Sequence, residues 1–360
     1  MNVLLLGDRF ITVDTLEDVF LDVFRNVTGY VGEDFSFRSF TDNWPVDPVE
    51  HNDEVSEFCG SDDDIVPLMG DVDILITHTG CITKKVLDAA PKLRVIGAVR
   101  GGPVNINVPE CTKRGIPVVY APGRNSGAVA EYTVGMMIAA TRNIVFCHDS
   151  FFNHKRWRGD MYAYEYISDE LGASTIGLFG FGAVGGRVCR ALNAFGSRVI
   201  AYDPYISEDV KAAADCEFVT VEKLLAESDI ISLHARYTKE TKNFFNRETF
   251  GMMKEGAVFI NTARGEMVDH EAMYEALKSK RLRFAALDVY EGEPPGGDSQ
   301  LFCLDNVVAC THLAGASKQA AIIGARRGIE GVRAFLMGET PPYCANPEAL
   351  LPDAVHSGAD

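Results

Sequence analysis

An α/β chain with two doubly wound parallel-sheet domains is the fold class the sequence predicts, on three observations. Short apolar runs alternate with amphipathic, helix-periodic segments along most of the chain. A length of 360 residues with 47% apolar residues suits about two domains, each with its own core. In the second half, Gly180-x-Gly182-x-x-Gly185 joins an apolar run to a helix-periodic segment, so a second alternating series starts there.

Taken in order, Val3 to Gly7 reads as a buried strand and Thr15 to Phe24 as the amphipathic helix after it. The acidic stretch from Gly32 to Asp64 lacks clear periodicity and reads as solvated loop and short helix. Strand Asp71 to His78, helix Lys84 to Ala90, strand Leu93 to Val99, helix Val108 to Arg114 and strand Ile116 to Tyr120 complete the first series. Turn residues from Ala121 to Ser126 end it. The segment Ala128 to Ile144 is apolar on most of its circumference and so predicts a buried connector helix between the domains. After a tyrosine-rich loop the second series begins at Ser174. Its later strands are Arg198 to Tyr202, Ile230 to His234, Ala257 to Asn261, Phe284 to Asp288 and Asn306 to Cys310. A last helix, Lys318 to Met337, is expected to return to the first domain.

The glycines have distinct physical roles. Gly180 permits a tight turn, Gly182 lets the backbone approach a pyrophosphate, and Gly185 lets helix and strand pack closely. The helix N-terminus then offers unpaired N–H groups and the positive end of its dipole to the phosphates. Asp203 ends the next strand about 20 residues on, where a carboxylate meets the adenosine ribose hydroxyls and repels a 2′-phosphate. The expected cofactor is therefore NAD and not NADP.

The net charge of −17, with no basic run, argues against nucleic acid and anionic membranes as partners. Nine cysteines show no C-x-x-C pair and no His/Cys ligand spacing, so free thiols, no metal site and a cytoplasmic location are expected. No apolar stretch reaches membrane-spanning length, and no signal peptide precedes Val3.

In a doubly wound sheet, ligands sit beyond the carboxyl ends of the strands. Three such ends carry reactive groups: Arg264 beside Gly265, the carboxylates Asp288, Glu291 and Glu293, and His312. Hydride transfer to a 2-oxo acid needs a proton donor, a cation for carboxylate and carbonyl, and a group keeping the donor protonated. His312, Arg264 and Glu293 have those capacities, because a carboxylate beside an imidazole raises its pKa.

With these motifs in place, the sequence resembles the D-isomer-specific 2-hydroxyacid dehydrogenases, the family of D-3-phosphoglycerate dehydrogenase. The resemblance rests on Val129-Ala130-Glu131, Gly180 to Gly185, Ala263-Arg264-Gly265, Asp288 to Pro294 and His312 to Gly315. It implies a flavodoxin-like substrate domain at 1–122 plus 313–345, a Rossmann NAD-binding domain at 123–312 and a C-terminal tail at 346–360. It also implies an NAD-dependent oxidoreductase acting on a small D-2-hydroxy or 2-oxo acid, with Arg264, Glu293 and His312 as catalytic triad. Cofactor contacts are implied at Gly180, Phe181, Gly182, Ala183, Val184, Gly185, Asp203, His234, Ala235, Thr262, Ala263, Arg264, Asp288, His312 and Ala314. Substrate contacts are implied at Thr79, Gly80, Arg100, Gly101, Gly102, Arg264 and His312. A homodimer, with the connector helix in its interface, is expected on the same ground.

Departures from the family concern the substrate. Arg100 to Asn105 replaces the usual Gly-x-Gly-x-Asp/Asn turn, and His78-Thr79-Gly80 stands where the phosphoglycerate enzymes carry basic residues, which argues against a phosphorylated substrate. Thr311 replaces a proline before His312. Arg100 and Arg124 read either as groups for hydroxyls or a second carboxylate, or as fold and subunit contacts. Two other functions share the scaffold: an NAD(H)-sensing binding protein like the C-terminal-binding-protein corepressors, and a phosphite or formate dehydrogenase. The formate enzymes usually carry glutamine where Glu293 stands.

Overall fold

The computed structural model describes residues 1–25 and 34–351, and the chain divides into two units. The first comprises Met1–Asn125 and the chain from Ala316 onward, the second Ser126–Gly315. The crossings thus lie a few residues beyond the positions 122 and 312 expected from the sequence.

The first unit is built on β1 (Asn2–Gly7), β2 (Ser36–Thr41), a small antiparallel hairpin of β3 (Glu50–His51) and β4 (Ser56–Phe58), then β5 (Ile74–Thr77), β6 (Val95–Ala98) and β7 (Val118–Tyr120). Its main sheet is parallel, in the order β2-β1-β5-β6-β7. Side chains alternate across it. Leu4, Leu6, Leu75 and Ile96 enter one apolar layer with Phe58, Ile65 and Val86. Val3, Leu5, Ile74, Ile76 and Val95 enter the other, against Phe20 and Ala325, Ile329 and Val332. With both faces covered, the central strands read as unbroken apolar runs, which is why they were legible.

The acidic segment contains more order than its composition suggests. Ser36–Thr41 is a strand, and Phe35, Val55 and Phe58 are buried. An edge strand with one partner leaves its outer positions in solvent, so Ser36-Phe37-Arg38-Ser39-Phe40-Thr41 shows no strong apolar signature. Gly32 and Glu33, at the start of that segment, lie outside the described residues. At the other end, Asn346 begins no loose tail: it is fully buried, accepting from the Val118 N–H at 2.8 Å and donating to the Ile116 carbonyl at 2.9 Å. The expected tail beyond Leu351 lies outside the described residues.

The second unit holds β8 (Thr175–Phe179), β9 (Arg198–Tyr202), β10 (Glu217–Phe218), β11 (Ile230–Leu233), β12 (Ala257–Asn261), β13 (Leu282–Leu287) and β14 (Val307–Ala309). They form one parallel sheet, ordered β10-β9-β8-β11-β12-β13-β14. The order reverses between β8 and β11, so the glycine turn after β8 lies where the crevice of such a sheet opens. Ile231, Leu233 and Phe259 pack with Phe245, Phe250 and Met253 on one face. Leu178, Ile230, Val258 and Ile260 pack with Val134, Met137, Val188 and Leu192 on the other.

The connector expected as one helix to Ile144 is two. Ser126–Thr141 lies against this second face, and a new helix, Ile144–Phe152, begins after Asn143 at φ 56°. Asparagine enters the left-handed region more readily than most residues, so Asn143 is the natural break point. Among the described residues no helix is long and apolar enough to cross a membrane.

Candidate active site

The second unit gathers the glycine turn and the three reactive strand ends. Gly180 sits at φ 100°, and a Cβ there would lie 2.4 Å from the Ala235 nitrogen, so only glycine fits. At Gly182 an added Cβ would meet nothing within 4 Å, so the backbone stands open to a ligand. The helix Gly185–Ala194 starts immediately after, with its first N–H groups at the turn. Asp203, past β9, accepts the Phe181 N–H at 2.8 Å and the Tyr205 N–H at 2.9 Å. Each of its oxygens keeps acceptor capacity for a ribose hydroxyl. It lines a pocket with Tyr202, Pro204, Phe218 and Val219.

His234, past β11, is half-buried, and its Nε2, itself shut off from solvent, has no hydrogen-bond partner. Burial pushes its pKa down to about 3, so the ring is neutral. An orphaned buried nitrogen beside an open glycine backbone fits a site for a dinucleotide. Thr262 is held in place by the connector helix: its hydroxyl is 2.7 Å from that of Thr133 on the helix Ser126–Thr141. Among the described residues no cluster of His, Cys, Asp and Glu could hold a metal ion.

Arg264 follows β12. Asn261 shapes the turn, accepting the Ala263 N–H at 3.0 Å and donating to the Arg264 carbonyl at 2.9 Å. Gly265 then presses backbone against backbone: a Cβ would lie 1.9 Å from the Tyr290 carbonyl carbon. That contact brings the Arg264 loop against the loop carrying Glu293.

Past β13, Glu293 accepts the Tyr290 N–H through Oε1 at 3.0 Å and meets His312 Nδ1 through Oε2 at 2.6 Å. The hydrogen bond that His312 donates to Glu293 is the main reason the His312 pKa lies above the ordinary histidine value; burial and the Arg264 charge oppose it. Burial pushes Glu293 upward, but the bonds from His312 and Tyr290 outweigh it and leave the carboxyl below its usual range. His312 occupies the left-handed region at φ 58°. Asp288 secures that conformation: its backbone carbonyl accepts the His312 N–H at 2.8 Å, and its carboxylate accepts those of Leu313 and Ala314, each at 2.8 Å. The Asp288 carboxylate is fully buried, and burial raises its pKa. Arg264, Glu293, Asp288, His312 and Ala314 are thus brought together in one unit.

The substrate residues expected in the first unit are mostly engaged internally. The Thr79 hydroxyl lies 2.7 Å from Asp42 and 3.2 Å from Asp8, and both carboxylates are buried. Gly80 is buried, its N–H on Thr77 and its carbonyl on Asn105. Arg100 pairs with the Glu57 carboxylate and donates to the Glu57 carbonyl at 2.8 Å. Gly101 and Gly102 have open space around them. Sequence reasoning missed Asp8, which follows β1, takes His78 Nδ1 on its carboxylate and accepts the N–H groups of Phe10 and Ile11. Arg124, in turn, lies 3.0 Å from His78 Nε2 and over the Phe10 ring at 5.5 Å.

The NAD-binding domain of the D-isomer-specific 2-hydroxyacid dehydrogenases matches residues 134–314. The chain belongs to that family. The family's dehydrogenase activity is NAD-dependent, and its D-2-hydroxyacid chemistry is that of this chain. A D-3-phosphoglycerate dehydrogenase of Methanocaldococcus jannaschii is 38% identical over 79% of the chain, a match spanning 53% of the relative. A glyoxylate reductase of Korarchaeum cryptofilum is 36% identical over 79% of the chain and 86% of its own length. The crystal structure of an Aquifex aeolicus D-lactate dehydrogenase, complexed with NAD and lactic acid, superposes with a TM-score of 0.68 at 25% identity, covering 96% of the chain and 99% of that structure. In this dehydrogenase the reactive strand ends all fall in or directly beside the matched domain.

Proposed function

We propose that this dehydrogenase interconverts a small, unphosphorylated 2-oxo acid and its D-2-hydroxy acid, with His312 as acid/base, Glu293 as its partner and Arg264 as the carboxylate anchor. The observation that carries the reading is the 2.6 Å contact of His312 Nδ1 with Glu293 Oε2 beside the Arg264 charge. Glu293 occupies Nδ1, so Nε2 is the nitrogen left to exchange a proton with the substrate oxygen. Arg264 offers a planar fork that suits a carboxylate and steadies charge developing on the carbonyl oxygen. Bound NAD(H) supplies the hydride. The residues to hold it are the glycine turn with Phe181, Ala183 and Val184, then Asp203, His234 and Ala235, and the strand ends at Thr262, Ala263, Asp288 and Ala314.

A homodimer belongs to the same proposal. Phe151, Phe152, Trp157, Tyr162 and Tyr164 are at least half exposed along one stretch of chain, a surface suited to a second copy. Sedimentation at two concentrations tests it, and a monomer at both rejects it. A location in the cytoplasm accords with nine free cysteines.

The test of function is a panel of 2-oxo acids with NADH, including glyoxylate, hydroxypyruvate and four-carbon sugar acids. General acid catalysis is typically worth about 10² to 10⁴ in rate, so His312→Ala should lose turnover by that order while still binding NADH. Turnover by His312→Ala within a few-fold of wild type would show the mechanism to be wrong.

A further inference from the structure

We propose that Cys189 and Cys216 form an oxidisable dithiol site that closes to a disulfide and thereby weakens NADH binding. Cys189 lies on the helix Gly185–Ala194 that starts at the glycine turn, and Cys216 immediately precedes β10. The Cys189 sulfur is 3.6 Å from the carbonyl of Asp215, the residue before Cys216. Asn193 braces the same junction, with its Nδ2 2.7 Å from that carbonyl and 3.7 Å from the Cys189 sulfur. Both thiols join the same apolar layer, Cys189 buried within it and Cys216 partly exposed at its margin. The two thiols also influence each other: the neighbouring Cys216 thiol is the largest cause holding Cys189 below the usual thiol pKa, and Cys189 in turn raises Cys216.

The other buried cysteines differ in this respect. Burial pushes Cys59 up to about 11 and Cys81 and Cys111 up to about 12, so they stay protonated and inert. Cys303 is exposed, at the end of the short helical turn Gln300–Cys303.

The oxidant is a small hydroperoxide, entering at the margin of the layer where Cys216 is partly exposed. The Cys189 thiolate attacks one peroxide oxygen, the O–O bond breaks, and hydroxide leaves to take a proton as water. The Cys216 thiol then loses its proton, attacks the Cys189 sulfenic sulfur and expels a second hydroxide, which becomes water. Two thiols are oxidised by two electrons, and one hydrogen peroxide is reduced to two waters.

The consequence reaches the cofactor turn through one aromatic contact. A disulfide needs its sulfurs about 2.05 Å apart, so closure must draw the chain at Cys216 toward the helix. Two residues on, Phe218 meets the Phe181 ring edge-on at 5.0 Å, and Phe181 donates its N–H to Asp203. Moving Phe218 disturbs the glycine turn and the ribose carboxylate together.

The experiment uses the full chain carrying Cys303→Ser, treated with hydrogen peroxide, then mapped by mass spectrometry without reduction and titrated with NADH by fluorescence. The expected result is a Cys189–Cys216 cross-link and an NADH Kd raised at least about threefold, which is about 0.65 kcal/mol. Dithiothreitol should reverse both. Cys189→Ala and Cys216→Ala, made separately, should each bind NADH like the reduced protein and show no shift with peroxide; if one fails to fold, the other serves. Over-oxidation of both sulfurs without a cross-link would overturn the proposal. So would a cross-linked protein with an unchanged Kd.

Discussion

Replacing Glu293 by Gln tests the acid/base pair through its pH dependence. The contact is 2.6 Å, and the side chains of His312 and Glu293 are 48% and 35% exposed. Unit charges about 4 Å apart interact by about 4 kcal/mol near a protein surface but by only about 1 kcal/mol in water. With the pair this open to solvent, the lower figure applies: about 1 kcal/mol, or about a fivefold change in the ratio of imidazolium to imidazole at fixed pH. The sign follows from the proton's role. Glu293 holds the His312 pKa above its ordinary value, and in the proposed mechanism reduction of a 2-oxo acid needs His312 protonated. Gln keeps a hydrogen-bonding group but no charge, so the alkaline limb of kcat/KM for reduction should move to lower pH, and the acidic side should change least. The assay is NADH oxidation across pH with the best 2-oxo acid from the panel. An alkaline limb that stayed in place, with the rate reduced equally at every pH, would refute the claim that Glu293 acts by keeping His312 protonated.

Three further outcomes are expected. Asp203→Ala should weaken NADH binding by roughly ten- to a hundredfold, about 1.5 to 3 kcal/mol, and narrow the preference over NADPH; equal use of both cofactors by the wild type rejects the assignment. Gly265→Ala would put a methyl 1.9 Å from the Tyr290 carbonyl carbon, so it should cost about 3 kcal/mol or more in chemical denaturation and lower kcat with it; a wild-type midpoint contradicts the packing described. Asp8→Ala removes the acceptor for the buried Ile11 N–H and for His78 and should cost about 3 kcal/mol of stability in the same assay, a loss that a hydrophobic-to-alanine change at an exposed site such as Val46 should not show.

The parts legible in the sequence were those written in local periodicity. The central strands are covered on both faces, so Val3 to Gly7 or Ile230 to Leu233 announce themselves as apolar runs, and reactive residues just beyond such runs could be numbered in advance. What escaped depends on distant partners. β2 has one neighbouring strand and shows no strong pattern. The break at Asn143 lies in one backbone angle. Thr79 looks available in the sequence until Asp8 and Asp42 come to it from two other loops, and Arg100 until Glu57 does. Asp8 and His78 are 70 residues apart, a pairing no spacing rule suggests. Asp288 illustrates a subtler limit: its position after β13 was readable, but not that its carboxylate secures the backbone at Leu313 and Ala314.

The first unit is interrupted by the second between Asn125 and Ala316, and its two broken ends are near each other: an Arg124 nitrogen lies 3.5 Å from the Ala320 carbonyl, and Arg327 donates to the Pro122 carbonyl. This has a consequence for synthesis on the ribosome. Strands β1, β5, β6 and β7 leave the exit tunnel early, but the helix Lys318–Leu336 that covers Val3, Leu5, Ile76 and Val95 follows only after the whole intervening unit. At elongation rates of about 5 to 20 residues per second, the nascent sheet waits for roughly ten to forty seconds with one apolar face covered only in part, by Phe20 and its neighbours. During that interval Ser126–Gly315 can complete its own core, so the part of the chain translated first is the last to finish folding, and it is the part with most need of a chaperone.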